Sequence, residues 1–333
     1  MRFPLHITTD NIRLQWRNAR AGNRRYPFVL MLEPLYACNL ACLGCAPERH
    51  TGKLADRLPL ASCLRAVSDA AAPIVSICGG EPLMYPELPE LVEEIISRRK
   101  HIYLCTNALL IERHLFDEIP PDKRLTVNIH LDGQRETHDY VCDRAGVYDH
   151  AVAMIRACLQ RGYHVFTNTT VFKQTDIAEV EKLCAEMTEI GVHGMLVSPG
   201  YHYESVDKDM FLTRTDIERK FKRVLEFSEH YRLTSTPMFL EFAAGLRDYR
   251  CSPWSTVTYT PRGWKGPCYL IGEKYYETWE EFWNGVDWEY WESRQDRQCQ
   301  NCAMHSGFEA SVVTELRNSP RDMLRLASWN FLA

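Results

Sequence analysis

Three cysteines, Cys38, Cys42 and Cys45, stand at C-x3-C-x2-C spacing directly after an apolar run at Phe28–Leu32. Cysteine thiolates hold iron–sulfur clusters, and three of them leave one iron of a [4Fe–4S] cube open to bind and polarise a small molecule. Taken alone, the triad also reads as three free thiols or as a zinc site lacking a ligand, although zinc sites more often use paired C-x2-C units. A second apolar run, Ile74–Ile77, ends in Gly79-Gly80-Glu81-Pro82. Glycines let backbone approach a ligand closely, and Glu81 offers an anionic acceptor to an ammonium group.

More polar residues gather where later runs end: Leu104-Cys105-Thr106-Asn107, His130-Leu131-Asp132-Gly133, Asn168-Thr169-Thr170 and Ser198-Pro199-Gly200-Tyr201. Cys105, near the barrel mouth, could give a hydrogen atom to a carbon radical, because an S–H bond is weak and a small thiol fits a dry site. Packing is its competing role, since cysteine is often buried. Cys63, Cys78, Cys142, Cys158 and Cys184 read as core or incidental thiols. Near the end, Cys251, Cys268, Cys299 and Cys302 form a second set, closed by a C-x2-C pair and followed by His305. It suits zinc or an auxiliary iron–sulfur cluster.

The elements that must carry these residues follow from the patterning. The runs Phe28–Leu32, Ile74–Ile77, His101–Leu104, Leu125–His130, Val165–Val171 and Met195–Val197 alternate with helical periodicity at 87–99, 149–162 and 176–190. Such alternation predicts βα units around a parallel sheet. The fold class is α/β, a partial (β/α)6 barrel with a Cys- and Trp-rich carboxyl-terminal extension. The expected division is a basic arm over 1–25, the barrel over 26–205 and a substrate or auxiliary domain over 206–333. Beyond residue 200, strand runs give way to charged helical stretches such as 215–231.

Composition narrows the function. A net charge of −5 speaks against a nucleic-acid partner. Thirteen cysteines, an odd number, without a signal-peptide pattern at the start, predict a reducing cytoplasm rather than a disulfide framework. No apolar stretch is long enough to span a membrane. Residues 11–25 place Ile12, Leu14 and Trp16 beside Arg13, Arg17, Arg20, Arg24 and Arg25. This pattern fits an arm packed on the barrel or a peripheral contact with the inner membrane.

The triad and the Gly-Gly-Glu-Pro segment, in this order after the first two strands, resemble the radical S-adenosylmethionine (SAM) superfamily. That resemblance implies a [4Fe–4S] cluster on Cys38, Cys42 and Cys45, with SAM chelated to the open iron. It places the cofactor's amino group against Gly79, Gly80 and Glu81, and Thr106, Asn107, Asn168 and Ser198 near the cofactor. Glu33-Pro34-Leu35, His130-Leu131-Asp132-Gly133, Ser198-Pro199-Gly200-Tyr201, Pro267-Cys268-Tyr269-Leu270 and His305-Ser306-Gly307-Phe308-Glu309 are similar to the superfamily's hopanoid-biosynthesis branch, the adenosylhopane synthases. This implies addition of the 5′-deoxyadenosyl radical to the terminal alkene of diploptene, with Cys105 quenching the resulting radical and a flavodoxin or ferredoxin as reductant. The triterpene would need an apolar pocket, expected from Phe239, Phe242, Tyr269 and the tryptophans of 254–291. Where that branch usually continues Gly-Lys after the third cysteine, this chain has Ala46-Pro47-Glu48-Arg49-His50, which leaves room for another acceptor. The alternative is a radical SAM enzyme with an auxiliary metal site acting on a peptide or other small molecule.

Overall fold

The computed structural model describes residues 2–46, 48–202, 206, 209–316 and 319–331. Helix α1 (Leu5–Ala21) precedes β1 (Val29–Leu32), and the short α2 (Glu48–Thr51) and longer α3 (Leu60–Ala70) lead to β2 (Ile74–Ile77). Then come α4 (Leu88–Ser97), β3 (His101–Thr106), α5 (Ile111–His114), β4 (Leu125–His130), α6 (Arg135–Val141), α7 (Val147–Gln160), β5 (His164–Val171), α8 (Ile177–Ile190) and β6 (Gly194–Pro199). Strands β1 to β6 pair in chain order, all parallel. β2 is buried along its whole length, as expected of a parallel strand covered on both faces. The helices carry local stop and start signals. Asp176 accepts from the Ala178 N–H to cap α8, and Gly191 closes it in the left-handed region.

Alternate residues of each strand point inward. Met31, Ser76, Tyr103, Cys105, Asn128, His130, Asn168 and Ser198 all line one cavity of about 1980 Å3, so the six strands curl around it as a partial barrel.

The strands do not stop at residue 200. After α9 (Arg214–Phe227) and α10 (Pro237–Ala243), three more follow: β7 (Thr256–Thr260), β8 (Gly263–Pro267) and β9 (Gly272–Tyr276). β7 pairs parallel to β1, and β8 and β9 continue antiparallel, giving nine strands in the order β6-β5-β4-β3-β2-β1-β7-β8-β9. These strands lack an apolar run: β8 reads Gly-Trp-Lys-Gly-Pro, a turn-like composition that pairing with β7 overrides. The chain ends in α11 (Trp279–Gly285), α12 (Trp288–Glu292), α13 (His305–Glu315) and α14 (Pro320–Phe331).

Two expectations about the pocket wall need correction. Phe239 and Phe242 are fully buried, and Phe242 stacks on Phe308 at 4.2 Å, so they join α10 to α13 rather than face a ligand. Trp264, Trp279, Trp283 and Trp288 pack with Phe282 into one aromatic cluster at the β8–α11 corner. Trp254 and Tyr269 do line the cavity.

Candidate active site

The loop after β1 is held by the segment after β2. The Gly80 N–H donates to the Leu35 carbonyl at 3.0 Å, and the Glu81 N–H to that of Ala37 at 2.9 Å. A Cβ on Gly80 would lie 2.0 Å from the Ala37 oxygen, and Gly79 holds φ +108°. The glycines therefore first serve to let the cysteine loop lie directly on the Gly-Gly-Glu segment. The far side of the loop is tied down by Leu43, whose N–H donates to the Val141 carbonyl at 2.8 Å at the end of α6.

Cys38, Cys42 and Cys45 line the same end of the cavity as Gly79, Gly80 and Glu81. Burial pushes the Cys38 thiol up to about 12 and the Cys45 thiol up to about 11. Loading with iron must therefore release protons. Among the described residues, no three of these sulfurs and their neighbours form a group drawn within 4.8 Å except His130, His138 and Cys142. Three thiolates at this spacing suit an iron–sulfur cube with one open iron.

Glu81 is 1% exposed. It accepts from Thr106 Oγ1 at 2.8 Å and from the N–H groups of Leu83 and Asn107, both at 3.0 Å. Burial nevertheless pushes its carboxyl up to about 7. An ammonium group beside it would restore the carboxylate. Asn107 Nδ2 donates to Asn39 Oδ1 at 2.7 Å. Thr106 and Asn107 thus aim Glu81 and brace the cysteine loop. Asn128 Oδ1 and Asn168 Oδ1 are buried in the lumen wall with no hydrogen-bond partner among the described residues. Orphaned buried acceptors call for a polar ligand, and Ser198 lines the cavity with them. The residues present therefore fit both a cluster and a polar cofactor.

Cys105 sits within the lumen, its Sγ 3.4 Å from Ser76 Oγ, with Asn128 Nδ2 donating at 3.6 Å. Burial raises its pKa, which keeps the S–H bond intact near neutral pH.

Several residues were not singled out as site residues from sequence. Cys142, read as incidental, hydrogen-bonds with Cys42, and His138 Nε2 lies 3.5 Å from the Cys142 sulfur. His130 Nε2 lies 2.6 Å from Asp132 Oδ2; although burial opposes its charge, Asp132 lifts the imidazole to about 9. Cys78 also lines the cavity. Arg49 pairs with Glu33 at 2.8 Å, both buried, beside the triad. Pro47, within the same loop, lies outside the described residues. The signal for His130 was its alternation with Asn128 on β4; Cys142 gave none, since α6 brings it to the loop only in three dimensions.

Comparison with known proteins bears on the barrel and on the extension separately. Residues 32–187 match the radical SAM superfamily, and residues 195–326 match the family described as Domain of unknown function (DUF3463). The barrel residues thus match the radical SAM superfamily, a match that implies a [4Fe–4S] cluster and SAM as cofactors. Among curated relatives, the Fe-coproporphyrin III synthase of Methanosarcina barkeri is 28% identical over 44% of this chain and 39% of its own length. The subtilosin biosynthesis protein AlbA of Bacillus subtilis is 21% identical over 85% of this chain and 66% of its own. The chain thus spans well under two thirds of the first relatives, 39% to 51% of their lengths. Among solved structures, Streptococcus suis SuiB bound to its precursor peptide SuiA aligns with a TM-score of 0.66 at 15% identity, over 89% of this chain and 74% of that one. This likeness shows the fold.

Proposed function

We propose that Cys38, Cys42 and Cys45 hold the cluster, that Glu81 receives the ammonium of SAM, and that the acceptor is a large apolar molecule, with the terminal alkene of diploptene as the specific candidate. A cluster held there would supply, once reduced, the electron for cleavage of SAM to methionine and a 5′-deoxyadenosyl radical. Asn168 and Ser198 orient the adenosyl moiety toward the lumen, where the strands of the partial barrel limit its contact with water. Cys105 would donate its hydrogen atom to the carbon radical left once the adenosyl carbon has bonded to the alkene terminus. The Cys105 thiyl would then regain an electron from the external reductant, a flavodoxin or ferredoxin, and a proton from solvent.

One observation carries this reading. The cavity runs from the cysteine triad past Cys105 and through the lumen to an end between α1, α13 and α14 that mixes apolar with polar side chains. Ile12, Trp16, Met323 and Phe331 line that end yet are half-exposed. Such an opening suits a lipid entering from a membrane surface beside the arginines of α1. Leu14 is not part of it, being buried in the core. No described helix is long and apolar enough to cross a membrane.

The alternative acceptor is a peptide or other small molecule, and the named relatives favour it: a coproporphyrin synthase, the mycofactocin maturase MftC of Mycobacterium tuberculosis and a bacteriocin biosynthesis protein. The decisive experiment incubates reconstituted protein anaerobically with reductant and SAM, with and without diploptene. An adenosyl adduct supports the triterpene reading. Free 5′-deoxyadenosine in equal amount in both arms refutes it and leaves the alternative.

A further inference from the structure

The loop that carries the triad rests on the end of α6, and a buried polar chain reaches it there. Asp132, just beyond β4, is pinned on two sides. Its Oδ1 accepts from the Thr170 N–H at 2.6 Å, and its Oδ2 stands 2.6 Å from His130 Nε2. The Asp132 N–H donates to His138 Nδ1 at 3.1 Å. A backbone N–H can only donate, so Nδ1 is the bare nitrogen of that ring and Nε2 carries the proton. Nε2 lies 3.5 Å from the sulfur of Cys142, one turn further along at the end of α6, and donates to it. Asp132, His138 and Cys142 are each 1% exposed, so the chain is shielded from bulk water.

Cys142 carries the chain on to the triad. It packs with Leu40 and Val147 against Cys38 and Cys42, and its side chain hydrogen-bonds with that of Cys42. The Leu43 N–H, donating to the Val141 carbonyl at 2.8 Å, holds loop and helix end in this register. An iron-bound Cys42 has given up its proton, and its sulfur can then only accept. A second thiolate against it would be repelled. The proton between the two sulfurs is therefore that of Cys142, and the His138 N–H behind it polarises the S–H bond.

We propose, on the assignment of the cluster to Cys38, Cys42 and Cys45, that Cys142 donates a hydrogen bond to the ligand sulfur of Cys42 and so makes the cluster easier to reduce, with Asp132 and His138 as its positioning residues. Hydrogen bonds to ligand sulfurs offset the added negative charge of the reduced state and raise the reduction potential. His130, His138 and Cys142 also stand close enough, within 4.8 Å, to share a metal ion. A metal on His138 Nε2 would drive the ring proton to Nδ1, against the Asp132 N–H, so the hydrogen-bonded chain is the better use of these groups.

The test compares the unaltered full chain with Cys142→Ala and Cys142→Ser, each reconstituted anaerobically with iron and sulfide. Redox titration followed by EPR reads the midpoint potential of the signal that added SAM perturbs. Cys251, Cys268, Cys299 and Cys302 line a second, small cavity, so any metal they hold is not the one SAM chelates. Cys142→Ala should lower the potential by about 59 mV, a tenfold loss in a one-electron equilibrium. Cys142→Ser keeps an O–H donor and should recover part of it. The shift of the Fe–S stretching bands in D2O, read by resonance Raman, should be smaller in Cys142→Ala than in the unaltered protein. Equal potentials in all three proteins overturn the inference. So does a Cys142→Ala chain that fails to hold its cluster, which would make Cys142 a structural prop, and so does an extra metal ion per chain that departs with the Cys142 sulfur. A SAM-perturbed signal that persists in Cys38→Ala, Cys42→Ala, Cys45→Ala protein would instead overturn the cluster assignment, and the inference with it.

Discussion

Glu309, on α13, accepts from the N–H and the hydroxyl of Thr236, both at 2.8 Å, and so joins α13 to the first turn of α10. Its carboxyl faces the cavity rather than bulk water, and burial lifts its pKa from 4.5 to about 7 despite those two bonds. A carboxyl whose folded pKa is raised favours the protonated native state. Its stabilising contribution is complete below the unfolded value of 4.5 and is lost as pH rises through about 7. A rise of about 2.5 pKa units corresponds to a ceiling of about 3 kcal/mol, most of it lost between pH 5 and pH 8. Glu309→Gln removes the titration while keeping the shape and a carbonyl oxygen for the Thr236 N–H. Urea unfolding of both proteins, anaerobic and without SAM, at pH 5, 6, 7 and 8 measures the effect. Other buried groups titrate in both proteins and cancel in the difference. The unaltered chain should lose stability relative to the variant by up to about 3 kcal/mol across this range, and the variant should be the more stable at pH 8. Parallel profiles would refute the placement of a protonated carboxyl at this joint.

Glu81→Gln should retain the cluster but weaken SAM binding about ten- to a hundred-fold, the worth of a charge-assisted hydrogen bond; calorimetry on the reconstituted protein checks it. Because the Glu81 carboxyl stands near 7 without ligand, SAM affinity in the unaltered protein should rise from pH 6 to pH 8, and a flat profile would contradict this. Cys105→Ala should spare SAM cleavage but divert the adduct radical to other products, read by mass spectrometry; an unchanged product profile would reduce Cys105 to packing. Replacing Ile12 and Trp16 with serine should loosen binding to anionic vesicles and leave the fold intact, since both side chains are half-exposed. The arginines of α1 should add about 1 kcal/mol each at such a surface, screened by salt, and sedimentation that ignores both serines and salt would exclude the contact.

The parallel strands were legible because their core-facing residues make short apolar runs between helical patterns; Ile74–Ile77, buried along its whole length, was read to the residue. β7 to β9 were not, because they draw their partners from β1 and from each other, and tertiary pairing leaves no period in Thr-Val-Thr-Tyr-Thr or Gly-Trp-Lys-Gly-Pro. The residues at the barrel mouth were readable from strand ends, since chain order there maps onto position around the barrel. What failed was orientation within helices and corners. Phe239, Phe242 and the tryptophans of α11 and α12 look alike as core or as pocket wall until their neighbours are known. Cys142 escaped because its meaning lies in the Cys42 side chain, a hundred positions away.

The two hydrogen bonds from Gly80 and Glu81 to the cysteine loop carry one more consequence. With the cluster and SAM bound as proposed, the two would be gripped by two faces of a single backbone seam, so whatever tightens one face would shorten the excursions of the other. SAM should therefore act as a guardian of the metal. In air, a chain saturated with SAM should bleach at the triad more slowly than an empty one, and the protection should fade in Glu81→Gln. Drift in either motif would be felt by both ligands at once, which gives the chain little freedom to exchange its cofactor while keeping its iron.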